Sequence, residues 1–111
     1  MNFKIVYTRD FEREIKRLSK KYPSLRSDFS AFINEISQKP FTGTPLGNNC
    51  YKVRLAIKSK GKGKSGGARI ITFIQIIEEI VVLISIYDKS EQASISDAEI
   101  KERLKKYLGK Q

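Results

Sequence analysis

Histidine is absent from this 111-residue chain. That removes the commonest general acid–base and the commonest zinc ligand. Hydrolases built on Ser-His-Asp or Cys-His are excluded, as are nucleases that work through a pair of histidines. Catalysis, if present, has to come from Lys, Arg, Tyr or carboxylates. Cysteine is nearly absent too. Cys50 stands alone, so no intramolecular disulfide can form, which suits a reducing cytosol. No apolar run reaches the length of a membrane span. The longest, Ile70 to Leu83, is interrupted by Thr72, Gln75, Glu78 and Glu79. The opening Met1-Asn2-Phe3-Lys4 carries no signal-peptide core, so the default expectation is a cytoplasmic protein without a membrane partner.

Acidic residues are also in short supply. Twelve Asp and Glu stand against 22 Lys and Arg, a net charge of +10 at pH 7. Such a surface attracts polyanions, by Coulomb steering and by counterion release from nucleic acid. The length fits one domain over residues 1–111. Such a chain buries a modest core without disulfide or metal staples. Hydrophobic residues make up 40% of the chain and fall in blocks, which argues against disorder.

Phe3 to Tyr7 alternates as a short strand. From Thr8 the period changes: Phe11, Ile15, Leu18 and Tyr22 recur at helical spacing, with Thr8 or Asp10 as cap and Pro23 as stop. A second helix is expected from about Ser24, with Leu25, Phe29, Phe32, Ile33 and Ile36 on one face, ending before Pro40. Phe41 to Asn49 is expected as a loop. Tyr51 to Lys58 then alternates: Tyr51, Val53, Leu55 and Ile57 to one side, Lys52, Arg54, Ala56 and Lys58 to the other. A Gly/Lys loop over 59–67 leads to two β-branched runs, Arg69 to Ile77 and Ile80 to Tyr87, that turn at Glu78-Glu79. Ser96-Asp97-Ala98-Glu99 has a capping-box pattern and opens a last helix carrying Ile100, Leu104 and Leu108. The order is β-α-α-β-β-β-α. The predicted class is α+β: a small antiparallel sheet, an N-terminal helical hairpin packed on one face, and a short C-terminal helix.

Lys52, Arg54, Lys58, Lys60, Lys62, Lys64 and Arg69 form a run without an intervening Asp or Glu. Cations concentrated on a strand face and its adjoining loop are what phosphate-backbone binding requires. A solvated loop explains Lys60 and Lys62 equally well. It explains Lys52 and Arg54 poorly, because like charges repel along one strand face. Gly63-Lys64-Ser65 is not a nucleotide-binding loop. The required Gly five residues before the Gly-Lys pair is Lys58, and a strand pattern follows where a helix is needed. No nucleotide, metal or other cofactor is therefore expected. Counting outward from the Glu78-Glu79 turn places Arg69 opposite about Asp88. The basic run then meets Tyr87, Asp88 and Lys89 at one end of the sheet. Among the aromatics, only Tyr87 looks free to stack on a base or donate a proton.

Cys50-Tyr51-Lys52-Val53-Arg54-Leu55, then Gly-Lys-Ser-Gly-Gly-Ala-Arg over 63–69, then Ile86-Tyr87-Asp88-Lys89-Ser90-Glu91-Gln92 resemble the RelE/ParE superfamily of toxins, and most of all its HigB-like branch. The resemblance spans nearly the whole chain. It implies a microbial RNase-like fold and the toxin of a type II toxin–antitoxin pair. It also implies cleavage of mRNA on the ribosome and a cognate antitoxin protein as partner, and the cleavage expected here is metal-independent phosphoryl transfer. By position it implies catalytic roles for Lys52, Arg54, Arg69 and Lys89; the charge run itself gives Lys58, Lys60, Lys62 and Lys64 as expected phosphate contacts. Where RelE-type members often carry a tyrosine, this chain has Ile95, so Tyr87 or Lys89 is the substitute proton donor. Two other activities stay open on the same fold: inhibition of DNA gyrase in the manner of ParE, and RNA binding without cleavage.

Overall fold

Thr8 ends the first strand and starts the first helix. Its Oγ1 accepts from the Phe11 N–H at 3.1 Å and donates to the Leu83 carbonyl at 3.0 Å, capping one element while tying it to another. The computed structural model describes residues 2–109; Met1 and residues 110–111 lie outside it, and with them the ends of the domain expected over 1–111. The elements are β1 (Lys4–Tyr7), α1 (Arg9–Lys21), α2 (Leu25–Gln38), β2 (Thr44–Gly47), β3 (Cys50–Leu55), a 3₁₀ turn (Lys58–Lys60), β4 (Ala68–Gln75), β5 (Ile80–Asp88) and α3 (Asp97–Gly109). The sheet order is β1-β5-β4-β3-β2. It is antiparallel apart from β1, which joins β5 in parallel. The α+β class expected from the sequence is the class observed.

Each face of the sheet has its own cover. On one, Phe11, Leu18, Leu25, Phe32 and Ile36 of the helical hairpin pack against Val53, Leu55, Ile70, Ile74, Val81, Leu83 and Ile86. Burial of side chains of this kind stabilises by roughly 1.5–3 kcal/mol each. On the other face Ile100 of α3, with Leu104 and Tyr107 beside it, covers Cys50, Ile71, Val82 and Ile84. That smaller contact is reinforced by Arg103. It donates to both Glu14 carboxylate oxygens (3.0 and 2.8 Å), to the Ile84 carbonyl (3.1 Å) and to Glu99 (2.9 Å).

Three details differ from the sequence expectation. Part of the expected loop over 41–49 is a strand: β2 pairs with β3 around a two-residue turn. Asn48 and Asn49 there take left-handed φ of 53° and 61°, which that turn type demands. The third strand stops at Leu55 rather than Lys58. Side chains at the start of α2 draw the backbone away from the sheet: the Lys58 N–H donates to Asp28 Oδ2 (3.0 Å) and the Ser59 N–H to Ser24 Oγ (2.8 Å). Finally, the β4–β5 register is one residue off the count. Arg69 pairs with Tyr87 and Ala68 with Asp88. The turn is centred earlier, over 76–79 with Glu79 at φ 57°, and a bulge at Ile71/Thr72 adds a residue back on β5. Because side chains alternate, this slip exchanges the faces of Tyr87 and Asp88.

Candidate nucleic-acid interface

Register and alternation together place three functional candidates in one row. Arg54 of β3 lies opposite Arg69 of β4, and Arg69 opposite Tyr87 of β5. Lys52 stands two residues along the same side of β3, opposite Ile71. The apolar cluster under α3 ends at Ile71 and Ile84, so the row occupies the polar end of that face.

The members of the row are not equally available. Arg54 is exposed and Lys52 half-buried. Arg69 is only 6% exposed. Its guanidinium donates to the carbonyls of Lys64 (3.1 Å), Ser65 (3.2 Å) and Ala68 (3.3 Å), so it fastens the Gly/Lys loop to the sheet. Tyr87, expected to stand free, is only 3% exposed, which corrects its reading as a base-stacking ring. The slipped register turns it onto the inner part of the row. Burial pushes its phenol pKa up, Arg69 opposes this less strongly, and the group is neutral at pH 7.

Lys60 is a second correction. It was expected among the phosphate contacts, but its side chain is 7% exposed and its Nζ lies 2.6 Å from Asp88 Oδ1. It also donates to Ser90 Oγ at 3.0 Å and sits 5.4 Å from the centre of the Tyr22 ring. The physical reason is Asp88, whose side chain is wholly buried and needs a counter-charge. Burial pushes the Asp88 pKa up, yet hydrogen bonds from Lys60, the Tyr22 hydroxyl and Ser90 outweigh it and hold the carboxyl well below the usual range.

Lys58, Lys62, Lys64 and Lys89 are exposed. Lys58 and Lys64 join Lys52 and Arg54 around a cleft of about 410 Å³ between α2 and β3; Lys62 is not part of its wall. Lys89 lies at the other end of the row. Its N–H donates to the Gly67 carbonyl (3.1 Å) and its Nζ to the Ala93 carbonyl (2.9 Å). Ile95 packs at the edge of the cluster beneath α3 and offers no proton there. Among the described residues, no group of three or more His, Cys, Asp or Glu is placed to hold a metal ion. No described helix is long and apolar enough to cross a membrane.

One residue of the site went unnoticed in the sequence. Asp28 is buried on the inner side of α2, accepting from Ser24 Oγ (2.7 Å) and from the Lys58 N–H. Its signal is its position: it falls three residues after Leu25 and four before Phe32, on the apolar stripe where a carboxylate is out of place.

Comparison with known proteins gives one family and several solved structures. Residues 3–110 match the family described as RelE toxin of the RelE/RelB toxin–antitoxin system. Among solved structures, a double-arginine mutant of E. coli toxin RelE in the free state superposes with a TM-score of 0.64 at 16% identity, over 96% of this chain and 98% of that one. The isolated E. coli RelE toxin gives 0.60 at 18% identity, over 95% and 98%. A chain of the RelBE2 toxin–antitoxin complex from Mycobacterium tuberculosis gives 0.59 at 15% identity, over 79% and 99%. A search of curated protein sequences finds no match. At these identities the structural likeness concerns the fold.

Proposed function

The chain belongs to the RelE family of toxins from toxin–antitoxin systems, and from that premise we propose that it cleaves mRNA on the ribosome without a metal ion, inhibiting translation until its cognate antitoxin binds. Residues 1–111 act as one toxin domain in this reading. The observation that supports it best is the row Arg54–Arg69–Tyr87, flanked by Lys52 and Lys89, on the end of the sheet that α3 leaves uncovered.

The chemistry is an internal transfer. The ribose 2′-oxygen attacks the adjacent phosphorus, the bond to the 5′-oxygen breaks, and a 2′,3′-cyclic phosphate and a 5′-hydroxyl result. One proton leaves the 2′-hydroxyl and one is delivered to the departing oxygen. Lys52 or a neighbouring lysine takes the first. The accessible Lys89 delivers the second, with the neutral phenol of Tyr87 enclosed behind it. Arg54 is the exposed guanidinium able to grip non-bridging oxygens in two-point fashion as their charge grows. Arg69 acts one layer down, holding the loop that carries Lys64 and adding positive potential under the phosphate. Lys58, Lys62 and Lys64 hold flanking phosphates. The ribosome supplies alignment, which contributes ~7 kcal/mol or more in favourable cases.

Primer extension on mRNA from cells expressing the chain tests this. Cuts within translated codons are expected, and loss of a charge-stabilising donor such as Arg54→Ala should slow them by roughly 10²–10³-fold. Unchanged cutting by Arg54→Ala, or intact mRNA together with inhibition of purified gyrase, overturns the reading.

A further inference from the structure

The cleft between α2 and β3 exists because β2 stops short. β2 pairs with β3 only as far as Thr44 opposite Lys52, so β3 has no outer neighbour from Val53 onward. The chain enters β2 pressed against that strand. A side chain at Gly43, whose φ is +102°, would meet the Lys52 carbonyl oxygen at 2.4 Å. The opening that remains lies on the hairpin side of the sheet edge. Lys58 and Lys64 border it from the loop, and the strand edge at Lys52 and Arg54 forms its rim, where their side chains leave toward the α3 face. Four of the seven cations in the basic run therefore border the cleft, two at the strand edge and two in the loop, whereas Arg69 and Lys60 are spent on the loop and on Asp88.

We propose that this cleft receives one nucleobase of a single-stranded RNA, with the rim cations on the phosphates either side; the inference rests on the ribonuclease reading above. Its volume falls in the range of small-ligand sites. Its floor is apolar, with Phe32 and Ile36 of α2 facing Val53 and Leu55, which suits the face of a base. Its α2 wall carries Glu35, an exposed carboxylate with no hydrogen-bond or ion-pair partner among the described residues. An acceptor in that position favours base edges that carry an exocyclic amino donor, as cytosine, adenine and guanine do; uracil offers only its ring N3–H, flanked by two carbonyl oxygens that a carboxylate repels. Asp28 keeps the wall in place through its bonds to Ser24 and the Lys58 N–H. Two carboxylates in a cleft bordered by four basic residues disfavour an acidic peptide, whose side chains would meet Glu35 and Asp28, and equally disfavour a basic one. A base between phosphates answers both signs. Arg54 stands at the sheet edge between the row on the α3 face and the cleft on the hairpin side, so a strand that rounds this edge places the base held here next to the phosphate to be cut and biases which codons are cleaved.

The test uses the full chain and trinucleotides with 2′-O-methyl riboses, which bind without being cut, the central base being A, C, G or U. Affinities for the three amino-bearing bases should exceed that for U by about fivefold. Glu35→Ala should bring all four to the U value. Ala31→Trp, a helix-surface change that fills the cleft, should weaken all four while leaving the circular dichroism spectrum unchanged. Salt-dependent binding that is equal for the four bases and indifferent to Ala31→Trp overturns the base pocket but leaves the ribonuclease reading intact. Failure of the wild type to bind any trinucleotide or cut translated mRNA overturns that reading and this inference with it. Saturable binding of poly-glutamate that Ala31→Trp abolishes, with no effect of Ala31→Trp on trinucleotides, assigns the cleft to an acidic protein segment and overturns the proposal.

Discussion

Tyr87 and Asp88 are consecutive on β5, yet alternation sends them to opposite faces and opposite roles. Tyr87 closes the cationic row, while Asp88 sits at the centre of a buried polar cluster with Lys60, Tyr22 and Ser90. Removing the carboxylate would leave the Lys60 ammonium buried without a counter-charge. Asp88→Ala should therefore cost roughly 3–5 kcal/mol in urea unfolding. The same cluster sets an acid limit. Hydrogen bonds from Arg17 and Lys21 bring the neighbouring Glu91 to a pKa of about 2, and the Asp88 carboxyl is also held low. In the unfolded chain both titrate near 4. A depressed folded pKa stabilises the native state fully above the unfolded value, and this stabilisation drains as pH falls toward the folded one. Melting temperature should thus be insensitive to these two groups above about pH 5 and fall below about pH 4. Asp88→Ala should flatten that acid limb; an unchanged limb refutes the assignment. In the sequence, alternation alone separates Lys52 and Arg54 from Val53 and Leu55, because period and face are local properties. The fate of Lys60 is not local: its partner lies 28 residues away, and no spacing rule reaches that far.

Elements follow the same division. Both helices of the hairpin and their stops are legible because Thr8 caps, Pro23 interrupts and the apolar residues repeat at helical spacing. β2 was missed because Thr44–Gly47 has every residue exposed and contains Pro45, so it carries no apolar alternation; only Asn48-Asn49 hinted at a hairpin. The approach of β3 to β4 makes a further prediction. A Cβ on Gly67 would stand 2.1 Å from the Leu55 carbonyl oxygen, which is backbone and cannot swing aside. Gly67→Ala should force the end of β4 off β3 and displace Arg54 relative to Arg69. The expected outcome is a lower melting temperature together with lost amide protection at Ala68 and Leu55. A wild-type exchange pattern refutes it. α3 offers the complementary case, since Arg103 supplements its small apolar contact with the sheet. Burial alone would lower the pKa of this guanidinium, but Glu14 and Glu99 raise it, so it is charged at any working pH. Arg103→Met should leave Glu14 short of its main partner and selectively speed hydrogen exchange over Asp97–Gly109. Protection in β4 and β5 should change little. Uniform loss across both regions would mean that α3 is not a separately held element.

At the scale of the whole molecule, the net charge of +10 is less informative than where it is left unpaired. Asp10, Glu14, Asp88, Glu91 and Glu99 are all committed to ion pairs with cations of α1, α3 or the 3₁₀ turn. Those pairs neutralise the side of the molecule where α1 meets α3 and the segment after β5. The exposed Lys58, Lys62 and Lys64, with Arg54 and half-buried Lys52, form the contrasting region at one end of the sheet. A polyanion should therefore dock by that end, releasing counterions only from the phosphates it places there. For single-stranded RNA each neutralised phosphate contributes about −0.7 to the slope of log K against log salt, so four contacts from Lys52, Arg54, Lys58 and Lys64 give about −3. Lys64→Ala should flatten the slope by about 0.7. Lys105→Ala removes the same charge from the exposed side of α3 and should leave the slope unchanged. If the two substitutions act alike, binding follows the overall charge and the focused interface is refuted. If only Lys64→Ala acts, the same end of the sheet is where an antitoxin has to compete or close access, whatever surface it grips elsewhere.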